Sequence, residues 1–248
     1  MTAAATSASR RPRTALVTGA AGGIGSAIVD DLKARGDVVV GVDRHSAPRT
    51  RADHFEIADL AADAEGLAAR LLDAHERFDI LVNCAGIGYD RPAVELTGAD
   101  LRAVLDINTV APAVLAARLA PAMLAAGYGR IVNISSIHGR AGHPGQSAYD
   151  ASKAALDNIT RSQASEWTEH GVLVNAVAPG FVRTALCTDE HLSQDWFQEG
   201  FLKFGRLPAK RAAEPAEIAT IVEYLTSERN TYISGQVIYA DGGLYARF

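Results

Sequence analysis

The sequence predicts an α/β fold: one doubly wound parallel sheet flanked by helices on both faces. Two observations carry this. Short, near-continuous apolar runs alternate with helix-periodic stretches from Thr14 to the end, the pattern of a parallel sheet covered on both sides. Across the 248 residues there is no internal repeat, low-complexity linker or composition break, so residues 14–248 read as a single domain.

In order, TALVTG reads as a buried strand. The helix after it keeps Ile24, Ile28 and Leu32 at a four-residue spacing and stops at Gly36. DVVVGVD and HFEIAD follow as strands. Leu67, Leu71 and Leu72 mark the next helix, and FDILVN the next strand. Asp100 to Ala126 forms a long apolar-faced helix, kinked near Pro112 because proline has no N–H to donate. RIVNIS, Val172 to Ala176 and QVIYAD complete the strands. Helices run around Ala151 to Glu169 and from Pro215, a proline in the first turn, to Ser227. Between the last two strands lies a long irregular stretch, residues 181–214, with Trp196, Phe197, Phe201 and Phe204. Loops of that length in compact domains commonly act as lids or binding loops.

Composition removes several function classes. At 48% hydrophobic and 21% charged the chain sustains a sizeable core. The net charge of −5 and scattered arginines argue against nucleic acid or an anionic membrane as partner. No apolar run reaches the roughly 18 residues of a membrane span. Residues 1–13 are small, polar and basic, without the apolar core of a secretory signal, and read as a flexible tail. Cys84 and Cys187 lack metal-ligand spacing, so no metal site is expected, and both fit a reduced, cytoplasmic setting.

Two local patterns carry chemistry. TGAAGGIG, Thr18 to Gly25, joins the first strand to the first helix, where glycines let backbone N–H groups approach a pyrophosphate at the positive helix end. Its spacing, Gly19, Gly23, Gly25, is not GxGxxG, and no Lys-Ser/Thr pair follows as a P-loop requires. Asp43 ends the second strand 18 residues after Gly25, where an acid can hydrogen-bond a ribose 2′-hydroxyl and repel a 2′-phosphate. That favours NAD over NADP, although Arg44 beside it could welcome the phosphate.

The second pattern is Tyr149 and Lys153 in SAYDASKAAL. The chain has only four lysines, and a helix puts this one above the phenol. An unperturbed tyrosine titrates near ~10, too high for a neutral-pH base. An ammonium about 4 Å away at a dielectric of ~20 is worth roughly 4 kcal/mol, enough to lower the phenol's pKa by about two to three.

With these motifs on the page the chain resembles the short-chain dehydrogenase/reductase family, in its soluble branch. TGAAGGIG matches TGxxxGxG, and NCAG at 83–86 is similar to NNAG with Cys84 in place of an asparagine. YDASK matches YxxSK, PGFVRT at 179–184 resembles PGxxxT, and DGG at 241–243 fits the usual C-terminal end. The resemblance implies a Rossmann-like domain and a set of roles. Tyr149 would be the acid/base and Lys153 its partner, also holding the nicotinamide ribose. Ser136 would hydrogen-bond the substrate oxygen. Asn108 in DINTVAP would kink the long helix and hold a water linking Lys153 to solvent. Gly19, Gly23, Ile24 and Gly25 would cradle the phosphates and Asp43 the adenosine ribose. Asp59 and Leu60 would border the adenine, and Asn83, Ala85 and Gly86 the ribose floor. Pro179, Gly180 and Thr184 would meet the nicotinamide.

The expected function is NAD-dependent hydride transfer between a secondary alcohol or ketone and nicotinamide, with no metal required. Expected partners are a small-molecule substrate and further copies of the chain, as a homotetramer or homodimer. The alternatives are an NADPH-dependent 3-oxoacyl or polyketide-type ketoreductase, or a catalytically silent binding protein. IHGRAGHPGQSA between Ser136 and Tyr149 is polar where an enzyme for greasy alcohols would be apolar. With Lys203 and Arg206 in the lid it points to a polyol, sugar or hydroxy acid read by His138 and Gln146. Asp157 and Glu166 read as a solvated face of the tyrosine helix.

Overall fold

Seven parallel strands lie in the order β3-β2-β1-β4-β5-β6-β7 in the computed structural model, which describes residues 11–47 and 50–247. They are β1 Thr14–Thr18, β2 Val38–Asp43, β3 His54–Ile57, β4 Ile80–Asn83, β5 Gly129–Ile134, β6 Val172–Pro179 and β7 Val237–Ala240. β1 pairs with both β2 and β4, so the chain winds one way through β3 and then reverses. The crevice at that reversal, at the carboxyl ends of the strands, is where such sheets bind ligands.

Both faces are covered. Helices α1 (Gly23–Ala34) and, at the far end of the chain, α8 (Pro215–Thr226) lie on one, where Ile28, Val29, Leu32, Val222 and Leu225 pack on Val17, Val39, Ile80 and Val132. The other face carries α2 (Leu60–Ala74), α4 (Ala111–Ala125) and α5 (Ser147–Trp167), with Leu67, Leu71, Leu115, Leu119 and Met123 against Leu16, Val40, Leu81 and Ile131. Successive strand residues feed opposite clusters, as alternation across a pleated sheet requires.

The long helix departs from expectation. Its regular part α3 (Gly98–Leu105) passes into a π-helical turn, Asp106–Val110, before α4 begins. The irregularity therefore centres on Asn108, one turn before Pro112. Pro112 stands just after the π turn in a continuous helical run, where its missing N–H leaves a carbonyl of the preceding turn without a helical donor. By length and composition the run Gly98–Ala125 passes for a membrane-crossing helix, contrary to the reading of apolar runs. Here it is half-buried and packs its apolar side on the sheet, as a core helix does.

Residues 1–10 of the expected tail lie outside the described residues. Arg11 reaches Asp79 at 3.0 Å and Arg13 reaches Asp37 at 2.9 Å, so both arginines are tied to the amino end of the sheet. Asp37 and Asp79 are buried, and each is shared with a second arginine, Arg35 and Arg77 respectively. β6 also runs longer than expected, to Pro179, and α5 starts at Ser147, which puts Tyr149 in its first turn.

A buried chain of polar groups fixes α5 to the sheet. Asn83 Nδ2 donates to Asn133 Oδ1 at 2.8 Å, Asn133 Nδ2 donates to Thr160 Oγ1 at 2.9 Å, and Thr160 donates to the Leu156 carbonyl. Thr160→Val keeps the shape but strands the Asn133 amide, and should cost about 1–3 kcal/mol of stability. Urea denaturation followed by circular dichroism checks this; an unchanged midpoint would show that the link contributes nothing.

Candidate active site

The glycine turn is dictated by sterics. Gly19 has φ +68°, and a Cβ there would sit 2.8 Å from the Ala85 backbone nitrogen. On Gly25 a Cβ would fall 2.0 Å from the Gly19 carbonyl oxygen, so α1 can enter the turn only as glycine. Gly23 has φ +44° and faces the Thr184 methyl, 2.9 Å from where its Cβ would be. Helix α1 starts from Gly22 with no side-chain cap and no acid in its first turn, leaving a positive terminus suited to a phosphate.

A cavity of about 430 Å³ opens along the carboxyl ends of β1, β2, β4, β5 and β6. One end is lined by Gly19, Gly22, Ile24, Asp43, Arg44, Asp59 and Leu60, the other by Ser136, Tyr149, Lys153, Pro179, Gly180 and Thr184. Ala85 and Gly86 form the floor between them. This layout fits an extended dinucleotide, with adenosine near Asp43 and nicotinamide near Tyr149. Asp43 accepts the Ala21 and His45 N–H groups, one on each oxygen, at 3.1 and 3.0 Å. Each carboxylate oxygen can still accept a further hydrogen bond. Asp59 caps α2 through the Ala61 N–H. Gly23 and Gly25 shape the turn from behind rather than line the cavity, and Asn83 turns inward to Asn133. Thr18, quoted in the motif but given no role, accepts the Cys84 and Ala85 N–H groups and so anchors the floor to β1. A buried threonine at a strand end is the only signal the sequence offered for it.

Asn108 is fully buried in the π turn. Its side chain brackets Ile87, accepting the Ile87 N–H at 2.9 Å and donating to the Ile87 carbonyl at 2.8 Å; it also donates to Ser152. It thus ties the segment after β4 to α5. Ser152 sits inside YDASK and was missed because the motif was read for its tyrosine and lysine. Ser136 lies just beyond β5, and its hydroxyl accepts the His138 N–H.

The electrostatics of Tyr149 and Lys153 differ from expectation. Lys153 Nζ donates to the Ile134 carbonyl at 2.9 Å and stands 5.6 Å from the centre of the Tyr149 ring. Burial lowers the lysine to about 8 and raises the tyrosine, the Ser136 hydroxyl pulling the phenol partway back. Desolvation is the largest influence on both groups and sets the direction of each shift. Cys84 on the floor is pushed up to about 12 by burial and stays a thiol. Asp157, read as solvated, is instead buried with its carboxyl raised by desolvation. Glu166 is exposed.

The polar loop is engaged with itself. His138 Nδ1 meets Asp150 Oδ1 at 2.6 Å, and its ring stands edge-on to Tyr149 with centroids 5.2 Å apart. Gln146 donates to Asp90, away from the cavity lining. In the 181–214 segment Phe181 packs on Trp196, Phe197 and Phe201, together with the short helices α6 (Asp189–Ser193) and α7 (Asp195–Phe197). Lys203 pairs with Glu199 on the surface.

Known proteins bear the same features. The family described as enoyl-(acyl carrier protein) reductase matches residues 19–245. The 3-oxoacyl-(acyl-carrier-protein) reductase FabG of Rickettsia bellii is 36% identical over 238 residues, 94% of this chain and 96% of the relative. Among solved structures, one described as an NAD(P)-dependent gluconate 5-dehydrogenase from Beutenbergia cavernae, with bound NADP, superposes with TM-score 0.87 at 38% identity. It covers 94% of this chain and 97% of its own. A 4-hydroxyisoleucine dehydrogenase complexed with NADH gives TM-score 0.87 at 29% identity, over 94% of this chain and 99% of that one. Motifs, sheet order and relatives agree: the chain belongs to the short-chain dehydrogenase/reductase family, nicotinamide-dependent oxidoreductases that interconvert alcohols and ketones.

Proposed function

We propose that this enzyme oxidises a secondary alcohol of an oxygen-rich substrate, a polyol, sugar acid or hydroxy acid, with NAD as acceptor. The observation that carries the reading is the placing of Ser136, Tyr149 and Lys153 on one wall of a cavity whose far end presents Asp43. When bound, the nicotinamide supplies the hydride acceptor. Ser136 holds the substrate oxygen, and Tyr149 takes its proton as the phenolate; its own proton would first leave to solvent, a loss that Lys153 and the positive charge of a bound oxidised nicotinamide would favour against the burial that raises the phenol. Lys153, fixed by the Ile134 carbonyl, keeps positive charge beside the phenol. Asn108 fixes the distance between the cavity floor and α5. The 181–214 segment serves as the lid, and His138, edge-on to the Tyr149 ring though not among the cavity-lining residues, would read a substrate oxygen; Gln146 stands off with Asp90. The gluconate 5-dehydrogenase relative supports a sugar-acid substrate. We further propose self-association as a homotetramer or homodimer, on family grounds.

A second reading has its own support. Arg44 lines the cavity beside Asp43, and the FabG relatives reduce 3-oxoacyl groups, so an NADPH-dependent ketoreductase is the rival. A panel of polyols, sugar acids and cyclic alcohols offered with NAD and with NADP, and of 3-oxoacyl thioesters offered with NADH and with NADPH, followed by the absorbance of reduced nicotinamide, separates the two. Oxidation of sugar acids with NAD supports the proposal, and activity confined to 3-oxoacyl thioesters with NADPH overturns it.

Two substitutions test the residues. Tyr149→Phe removes only the hydroxyl, so turnover should fall by about 10² or more while NAD binding persists. Wild-type turnover in that variant would end the assignment. Asp43→Ala removes a charged acceptor and should weaken NAD by roughly 1.5–3 kcal/mol. Measured kcat/KM should then shift sharply toward NADP. An enzyme that already prefers NADP before the change would make Arg44 the determinant.

A further inference from the structure

The loop between Ser136 and Tyr149 and the first turn of α5 gather three donors outside the acid–base set of Ser136, Tyr149 and Lys153. His138, His143 and Asp150 each offer one ligand atom, all within 4.8 Å of one another. Two come from the loop and one from the first turn of α5. The imidazole rings are stacked, tilted by 32° with centroids 3.8 Å apart, and both Nδ1 atoms converge on one carboxylate oxygen. His138 Nδ1 is 2.6 Å from Asp150 Oδ1 and His143 Nδ1 is 3.4 Å from it.

The surroundings of His143 are those of a metal ligand. Its Nδ1 is buried and makes no hydrogen bond, although it faces the carboxylate. Its other nitrogen, Nε2, stands 3.4 Å from the Tyr245 hydroxyl. A proton on Nε2, given to Tyr245, leaves the Nδ1 lone pair pointing into the cluster. Ligating histidines are commonly held this way, the second ring nitrogen donating to an outer partner. Asp150 is oriented too: its Oδ2 accepts the His143 backbone N–H at 2.6 Å, which leaves Oδ1 aimed between the two rings.

We propose that His138, His143 and Asp150 form a binding site for one divalent transition-metal ion of the zinc class. Two imidazoles and one carboxylate are a donor set that suits zinc and its first-row neighbours and leaves a coordination position open. The ion takes the place of the proton shared by His138 Nδ1 and Asp150 Oδ1, and that proton moves to His138 Nε2 or to solvent. Because the ligands span loop and helix, binding clamps the loop onto the start of α5, beside Tyr149. The proposal does not rest on the proposed function: a filled site would take His138 out of the substrate-reading role, and the test does not use activity.

The full-length protein, stripped by a chelator and dialysed, is titrated with Zn²⁺ alone against a chromophoric zinc indicator, then with Co²⁺ followed by its absorption spectrum. One equivalent of zinc should be retained through dialysis, and Co²⁺ should give visible d–d bands without a thiolate charge-transfer band. His143→Ala and Asp150→Asn should each weaken binding by at least about tenfold, while His191→Ala, a surface histidine in the lid, leaves it unchanged. Thermal melting without metal establishes that each variant is folded. Wild-type protein that loses its zinc on dialysis overturns the proposal, whatever the variants do. So do a thiolate band, which would assign the ion to Cys84 or Cys187, and variants that bind zinc as tightly as wild type.

Discussion

A lysine ammonium nearly closed off from solvent is the constraint around which this site is built. Burying a charge is costly unless polar groups replace its water. Lys153 has one clear protein replacement, the Ile134 carbonyl at the end of β5, and its pKa is driven down toward neutrality. Holding that geometry requires β5 and α5 to keep a fixed separation. The Asn83–Asn133–Thr160 chain does this deeper in the core, and Asn108 does it above, bracketing the Ile87 backbone while touching Ser152. The π turn at Asp106–Val110 carries Asn108 against both partners.

Most of the sheet was legible because burial on both faces leaves short apolar runs; the exception is β3, HFEI, an edge strand that is no more than half-buried. The helix ends were less so. α5 begins four residues before Ala151 because SAYD lacks an apolar stripe and its start depends on contacts with the loop before it. The site residues were legible where a motif fixes them, as at Gly19, Ser136, Tyr149 and Lys153, all on the cavity wall. Residues whose role is set by tertiary hydrogen bonds were not. Asn83 turns away from the cavity to Asn133, and Asp157 is buried although its neighbours on α5 read as a solvated face.

The electrostatics of Tyr149 depart from the pairwise expectation. Coulomb interaction between two groups one helical turn apart leaves out the loss of water that both groups suffer. Once phenol and ammonium share a buried wall, desolvation acts on each before either acts on the other. Tuning of the phenol therefore depends on what else enters the cavity with charge, and not on Lys153 alone.

The contact between Gly23 and Thr184 has a mechanical consequence. The glycine turn belongs to the first third of the chain and the threonine to the segment after β6, yet no space for even a methyl group separates them. The contact sets how closely the two walls of the cleft can approach. A side chain at position 23 would push the turn from Val182 to Cys187, which closes on itself through the Thr184 and Cys187 backbones, outward and widen the cleft from a point remote from Tyr149.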